Sequence, residues 1–491
     1  MPPSDRWKAR RRVFMGATLT LWAAVSGVLH ALMVAAPERP GHVPWDVRLA
    51  ARNVEHVVLH ADPSRSAWHP EGELFLHTFA GLALQNIAET TGDPDDLARA
   101  HRVARAVLPR IDALLTHRPY RRMAHWKLRG GICWFAGQNL LRARLVALAG
   151  DGATPEEVRR FHADSAILHR AFLDSATGVL AASPGMTWPV DSLFGYASLA
   201  LHDRLYGTRY GASFARYRRA MERARHRPTG LMPSFVHLDG RSRDVPRGVA
   251  LSWSTAVLPS LDADFAAAQW RAFRGAFFGC AGGLCLVREY PPGMRRTGDV
   301  DTGPIVGGWG MSATAFALAG ARANGDGETA AALRRLGTLA GLPTLTPRGL
   351  HYWGGTVDLF QVLALWTRTV PMPDHPPGGA APGWGAAVAA AWALPTLWLA
   401  RATRRALRTL REASPSGSRW QAALCGLAVL ALAAHLGVPG WPLPVLLLAW
   451  GGLELLGGRK ELRTGCSKAE HPARAHKRTA DAALPPGSRQ P

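Results

Sequence analysis

Nucleotide and thiolate-metal signatures are missing from this 491-residue chain. It has no C-x-x-C pair and no Walker sequence, so neither a metal nor a cofactor is expected. Cysteine is scarce, and five in such a length exclude a disulfide framework. Charged residues make up only 19% and hydrophobic residues 47%. No strand pattern is apparent, so the chain reads as all-α.

What it has instead is long stretches without charge. Residues 13–36 contain no Lys, Arg, Asp or Glu, which is long enough to span a bilayer. A signal peptide shares the preceding basic residues, but the apolar run exceeds a usual signal core and favours an uncleaved anchor. Residues 384–400 form a second apolar run after a Pro/Gly linker at 371–383. Residues 420–436 and 441–456 flank Gly437-Val438-Pro439-Gly440 and read as a transmembrane hairpin, 420–457.

Basic residues sort to one side of these four spans. Residues 1–12, 401–419 and 458–491 hold most of the net charge of +22, while the opposite flanks carry a single Arg, Arg39. Positive flanks stay cytoplasmic. The expectation is an inner (plasma) membrane, multi-pass protein with cytoplasmic termini and its main domain on the outer, periplasmic side. The lipid bilayer is then the partner of the basic segments, and the strongly basic composition is a topology signal rather than one for nucleic acid. Cys425 falls in a span and Cys466 in a basic tail expected to be disordered. Cys133 opens an apolar helix and reads as packing. Cys280 and Cys285, on the outer side, are open to either a short-loop disulfide or two free thiols.

Between these ends, over 44–370, one unit recurs six times: a small-residue-rich apolar helix, then a more charged one. The apolar members begin near Phe75, Ile132, Asp191, Ser252, Pro304 and Asp358. Such periodicity marks a repeat architecture, and six helical hairpins are the number that closes an (α/α)6 toroid of twelve helices. Apolar helices at 73–89, 131–149, 191–206, 249–259, 304–324 and 357–369 would form the inner ring. Amphipathic ones at 47–59, 94–116, 154–172, 210–226, 261–278 and 327–339 would surround it. Links from outer to inner helices are long and the others short, so the long ones gather at one mouth, over the inner-helix N-termini.

The long links are rich in aromatics and carboxylates. Four acids are the catalytic candidates: Asp191, Glu289, Asp299 and Asp301, since a donor and a base of this kind transfer protons. Trp188, Tyr290, Trp68, Glu71 and the run His351-Tyr352-Trp353 are the substrate-binding candidates, because ring faces cover the apolar face of a sugar and acids bind its hydroxyls. Helix capping is the competing role for Asp191, Asp299 and Asp301.

With this layout residues 45–370 resemble the six-hairpin (α/α)6 glycosidase-like superfamily, including its linalool dehydratase/isomerase-like branch. Glu71-Gly72 is similar to the helix-start acid of some endoglucanase families, although residues 127–134, one repeat later, contain no carboxylate. The resemblance implies carboxylate chemistry at inner-helix N-termini. Three functions follow: a glycan hydrolase or lyase with Glu289 as donor; a dehydratase/isomerase acting on a small, partly apolar alcohol; or a non-catalytic polysaccharide binder. An open Trp-lined groove would favour sugar, and a closed apolar pocket the alcohol. For the topology, a reporter fused after Ser414 is expected to behave as cytoplasmic and one inserted near Gly378 as exported; the opposite pattern would overturn it.

Overall fold

The computed structural model describes residues 3–413 apart from 61–67, 118–119, 243, 295 and 374–379. The hairpin expected at 420–457, the tail at 458–491, Cys425, Cys466, the end of the basic loop and residues 374–379 of the linker lie outside the described residues.

The chain is mostly helical. A long first helix, α1 (Pro3–Ala35), leads into α2 (Trp45–Leu59), α3 (Gly72–Thr91), α4 (Pro94–Ala113), α5 (Gly131–Ala149), α6 (Pro155–Asp174) and α7 (Pro189–Tyr206). Then come α8 (Phe214–Ala224), α9 (Gly248–Val257), α10 (Ala263–Phe277), α11 (Met311–Ala323), α12 (Gly327–Gly341), α13 (Asp358–Thr369) and α14 (Pro382–Ala413). The helices between 44 and 370 fall close to where apolar periodicity put them, with one exception. The fifth apolar helix starts at Met311, not Pro304. Helices α1 and α14 extend into the basic segments expected as a tail and a loop at 1–12 and 401–419.

Strands, unexpected from the sequence, form three two-stranded antiparallel hairpins in the long links. The first pairs β1 (Phe278–Ala281) with β2 (Leu284–Val287), the second β3 (Ile305–Val306) with β4 (Trp309–Gly310), and the third β5 (Thr344–Thr346) with β6 (Gly349–His351). Residues 304–310 therefore turn as a hairpin before α11 begins. Cys280 and Cys285 face each other across the first hairpin and are disulfide-bonded.

Helix starts differ between the two sets in part, since the charged helices α2 and α8 also open without a side-chain cap. The charged helices α4, α6, α10 and α12 open on Asp93, Thr154, Asp262 and Asp326, whose side chains accept a first-turn N–H. Thr154 and Glu157 complete a reciprocal capping box. The apolar helices α3, α5, α7, α9, α11 and α13 open without any such cap. They are apolar on most sides because each is surrounded: α3 packs on α5, α5 on α7, α7 on α9, α9 on α11, α11 on α13, and α13 returns to α3. Gly81 lets α3 approach α5, where a Cβ would stand 2.5 Å from Leu141 Cδ2.

The helices α1 and α14 pack on each other along their lengths. Both are long and apolar enough to cross a membrane, over Trp7–Ala35 and Pro382–Thr409. Gly27 faces Trp392 so closely that a Cβ there would lie 2.6 Å from Trp392 Cβ and 2.9 Å from its ring carbon Cγ. They run antiparallel, with Gly16 beside Thr403 and Gly385 beside Ala35, so Arg11, Arg12, Arg404 and Arg408 share one end.

A buried charge network joins α1 to the helical body. Glu38, 4% exposed, pairs with Arg322 and, at 2.7 Å, with Arg334. Arg334 also donates to the Met33 and Ala36 carbonyls at the end of α1. Removing one member strands buried charges, so Glu38→Ala is expected to cost about 3–5 kcal/mol. Thermal unfolding of the full chain in detergent checks this; an unchanged Tm would contradict the role given to Glu38.

Candidate active site

The uncapped starts of α3, α5, α7 and α9 surround a small cavity. Leu74, Phe75, Thr78 and Phe79 of α3 line it, with Cys133 of α5, Val190, Asp191 and Phe194 of α7, and Trp253 of α9. Its aromatic rings meet mostly edge to face: Phe75–Trp253 at 5.4 Å, Phe79–Trp253 at 5.0 Å and Phe79–Phe194 at 5.8 Å between centroids. Among these apolar walls stand polar atoms without a hydrogen bond to a described residue: Thr78 Oγ1, Trp253 Nε1 and, in the neighbouring link, Tyr120 Oη. Buried polar groups normally have partners. Two of these three atoms belong to residues that line the cavity, Thr78 and Trp253.

Asp191 is the acid of this cavity. It lies in the first turn of α7, where its N–H bonds the Trp188 carbonyl at 3.2 Å. Its carboxyl forms no hydrogen bond or ion pair with a described residue. Burial pushes its pKa up to about 8, with the charges of Asp301 and Glu71 adding to the rise. Near neutral pH it therefore holds a proton, which is what a general acid needs.

Glu71 and Asp301 reach the same place around His69. The Glu71 N–H donates to His69 Nδ1 at 3.2 Å, so in the neutral ring Nε2 carries the proton and donates to Asp301 Oδ1 at 3.0 Å. The Glu71 carboxylate lies 3.6 Å from Nδ1. Burial raises its pKa, Asp301 adds to that, and His69 opposes it. Burial also pushes the Cys133 thiol well up, with Asp191, Glu71 and Asp301 reinforcing the effect, so it stays protonated. Glu73 pairs instead with His77, 3.8 Å away one turn on, and its carboxyl is held below its ordinary value.

Glu289 and Asp299 form a neighbouring group around Arg247 rather than joining Asp191. Arg247 Nε donates to Glu289 Oε1 at 3.1 Å and its Nη2 to Asp299 Oδ1 at 2.8 Å. The fully buried Glu289 also accepts the Val249 N–H at 3.2 Å, serving the first turn of α9. Burial pushes its pKa up to about 7 against the pull of Arg247. For Asp299, burial raises the pKa, but the Arg247 bond and charge outweigh it and the net shift is down. Asp299 Oδ1 and the Thr302 hydroxyl each accept the other residue's N–H, closing a turn well before α11, so neither Asp299 nor Asp301 caps that helix. The Arg247 guanidinium lies over Trp188 at 5.6 Å and Tyr290 at 6.0 Å, which fixes both of those rings.

The remaining candidates take different places. Tyr352 is buried: its hydroxyl accepts from Arg368, which also pairs with Asp46, and its N–H donates to Gln361 at 2.8 Å. His351 Nε2 lies 2.9 Å from the Thr346 hydroxyl inside the third hairpin. Trp353 stands edge-on to Phe360 at 5.1 Å, and Phe360 to Trp68 at 5.8 Å, which itself meets His69 at 5.6 Å. An aromatic ridge thus runs from the rim to the carboxylates.

His69 and Tyr120 stand out in the sequence only as aromatic or polar members of long links. Thr78, Cys133 and Trp253 are hidden inside helices that read as packing. One H-x-x-x-H spacing exists, from His56 of α2 to His60 just past its end, but those rings stack on each other at 4.5 Å. Among the described residues no group of His, Cys, Asp or Glu could hold a metal ion. In comparisons with known proteins the chain matches no family model and no curated sequence.

Asp191 keeps its proton up to about pH 8 when folded, but only to about pH 4 in the unfolded chain. Between those values the folded state binds the extra proton, so stability falls as pH rises through the window. Asp191→Asn removes the titration. Its Tm is expected to exceed the parent's at pH 8.5 and to match it near pH 4; the same difference at both pH values would refute the raised pKa.

Proposed function

We propose that the protein is a membrane-anchored acid–base enzyme that removes water from, or adds it to, a small and partly apolar hydroxyl compound. The closed neighbour sequence of the six apolar helices supports an (α/α)6 toroid, with the cavity at its mouth. That arrangement is in keeping with the dehydratase/isomerase-like branch of the six-hairpin superfamily. The apolar pair α1 and α14, with basic residues at one shared end, supports anchoring. The Cys280–Cys285 disulfide supports an oxidising outer compartment.

The observation that carries the reading is the Asp191 carboxyl, unpartnered in an aromatic cavity with its pKa raised to about 8. In dehydration Asp191 gives its proton to the substrate hydroxyl as the C–O bond breaks and water leaves. Asp301, held by His69, accepts a proton from the adjacent carbon, and the freed electron pair forms the C=C bond. The rings of Phe75, Phe79 and Trp253 stabilise positive charge developing on carbon. Hydration is the reverse. The donor role expected of Glu289 passes to Asp191, because Arg247 already engages Glu289.

A glycan substrate is the second reading, favoured by the Trp68–Phe360–Trp353 ridge. The two separate in one assay of the full chain in detergent, against short-chain alcohols and their alkenes in one arm and oligosaccharides in the other. Turnover of the alcohols is expected. Asp191→Asn should lower it about 10²–10⁴-fold, and the parent's rate should fall as pH rises through about 8. Release of reducing ends alone would return the site to glycan chemistry. Full activity in Asp191→Asn would remove the acid assigned here.

A further inference from the structure

The direction in which α1 leaves the helical body decides what the mouth faces. Helix α12 runs from the end opposite the mouth, beside the end of α11, to the rim, where Gly341 leads into the third hairpin. Against it α1 runs the opposite way. His30 Nε2 meets the Thr338 carbonyl at 3.1 Å, Arg334 holds the Met33 and Ala36 carbonyls, and Glu38 reaches Arg322 near the end of α11. Going back along α1 from His30 therefore leads past the rim, and the stretch from Pro3 extends roughly 40 Å at 1.5 Å per residue. A hydrocarbon core is about 30 Å thick. Helix α14 leaves the same way, with Trp392 Nε1 donating to His30 Nδ1 at 3.2 Å and Thr403 beside Gly16.

The rim is built to meet such a surface. Outside α1 and α14, most of the exposed large hydrophobic side chains lie in the long links or the helix starts they feed: Trp68, Leu238, Val300, Val306, Leu345 and Phe360 are each at least 37% exposed. Val306, at the tip of the second hairpin, is 65% exposed. A single exposed apolar residue is ordinary, whereas a gathering on one face is a contact surface. Exposed Arg121, Arg122, Lys127 and Arg348 in the same links suit anionic headgroups.

We propose that the rim of the mouth rests on the outer leaflet of the membrane that α1 and α14 cross, so that the cavity takes its substrate from the lipid phase. The inference rests on the membrane-anchored reading and adds to it the substrate class: an amphipathic hydroxyl compound that partitions into lipid. Its apolar part follows the Trp68–His69–Phe75 ring contacts inward, and its hydroxyl meets Asp191.

The test uses the full chain with Cys133, Cys425 and Cys466 replaced by Ser, in nanodiscs of phosphatidylcholine and phosphatidylglycerol with brominated acyl chains. A bimane label is placed at Val306→Cys on the rim, at Val25→Cys on the exposed face of α1, or at Ile167→Cys on the side of the body. Bromine is expected to at least halve the emission at Val306 and Val25 and to leave Ile167 unchanged. Quenching at Val25 alone would overturn the docking while leaving the anchor standing. Quenching at none of the three would overturn both. A Val306 label shielded from aqueous iodide yet untouched by bromine would show that a protein, or a second copy, covers the rim, and would also overturn the proposal.

Discussion

Six helices without a polar face can exist in water only if something covers each of them on nearly every side. That constraint orders the rest of the molecule. Each apolar helix meets two others, and the charged helices close the remaining side, where their polar faces meet solvent. Covering every flank leaves the ends as the place where a side chain reaches a cavity. The starts of the apolar helices are also where side-chain caps are lacking and long links gather. A polar group arriving there finds few neighbours and low solvent access. Burial, more than any specific partner, accordingly sets the chemistry of Asp191 and Cys133.

The two groups of acids show how environment separates identical functional groups. Asp191, Glu71 and Asp301 share a space in which, among the described residues, His69 is the nearest basic group, so mutual repulsion adds to burial. Glu289 and Asp299 share Arg247, which holds both in place and lets Trp188 and Tyr290 stack above it. The first arrangement leaves a proton available near neutral pH. The second spends its acids on fixing the start of α9 and the link before α11.

Helix positions were legible because their signals are local. Gly131 to Ala149 could be read from the apolar run between two glycines, and Pro155 from the capping threonine before it and Glu157 after it. The start of α11 was not, because Pro304 resembles a helix-opening proline. Contacts between Asp299 and Thr302, and the positive-φ pair Gly307-Gly308, redirect the chain into a hairpin instead. The site was legible as a set of links rich in acids and rings. Its division was not, since Arg247 lies 42 residues from Glu289 and 52 from Asp299 in the chain. Thr78 and Cys133 look like packing until their neighbours are known.

The contact between His30 and Trp392 joins positions 362 residues apart, so pairing α1 with α14 closes a loop that contains the entire helical body. In a disordered chain that closure would carry a large entropic cost. Once the body is folded and Glu38 is seated between Arg322 and Arg334, the two ends are held beside each other and the cost has already been met. The helix pair is then a reporter of the body's integrity. Damage near Glu38 would loosen α1 from α11 and α12, and with it the hold of the helix pair on the body.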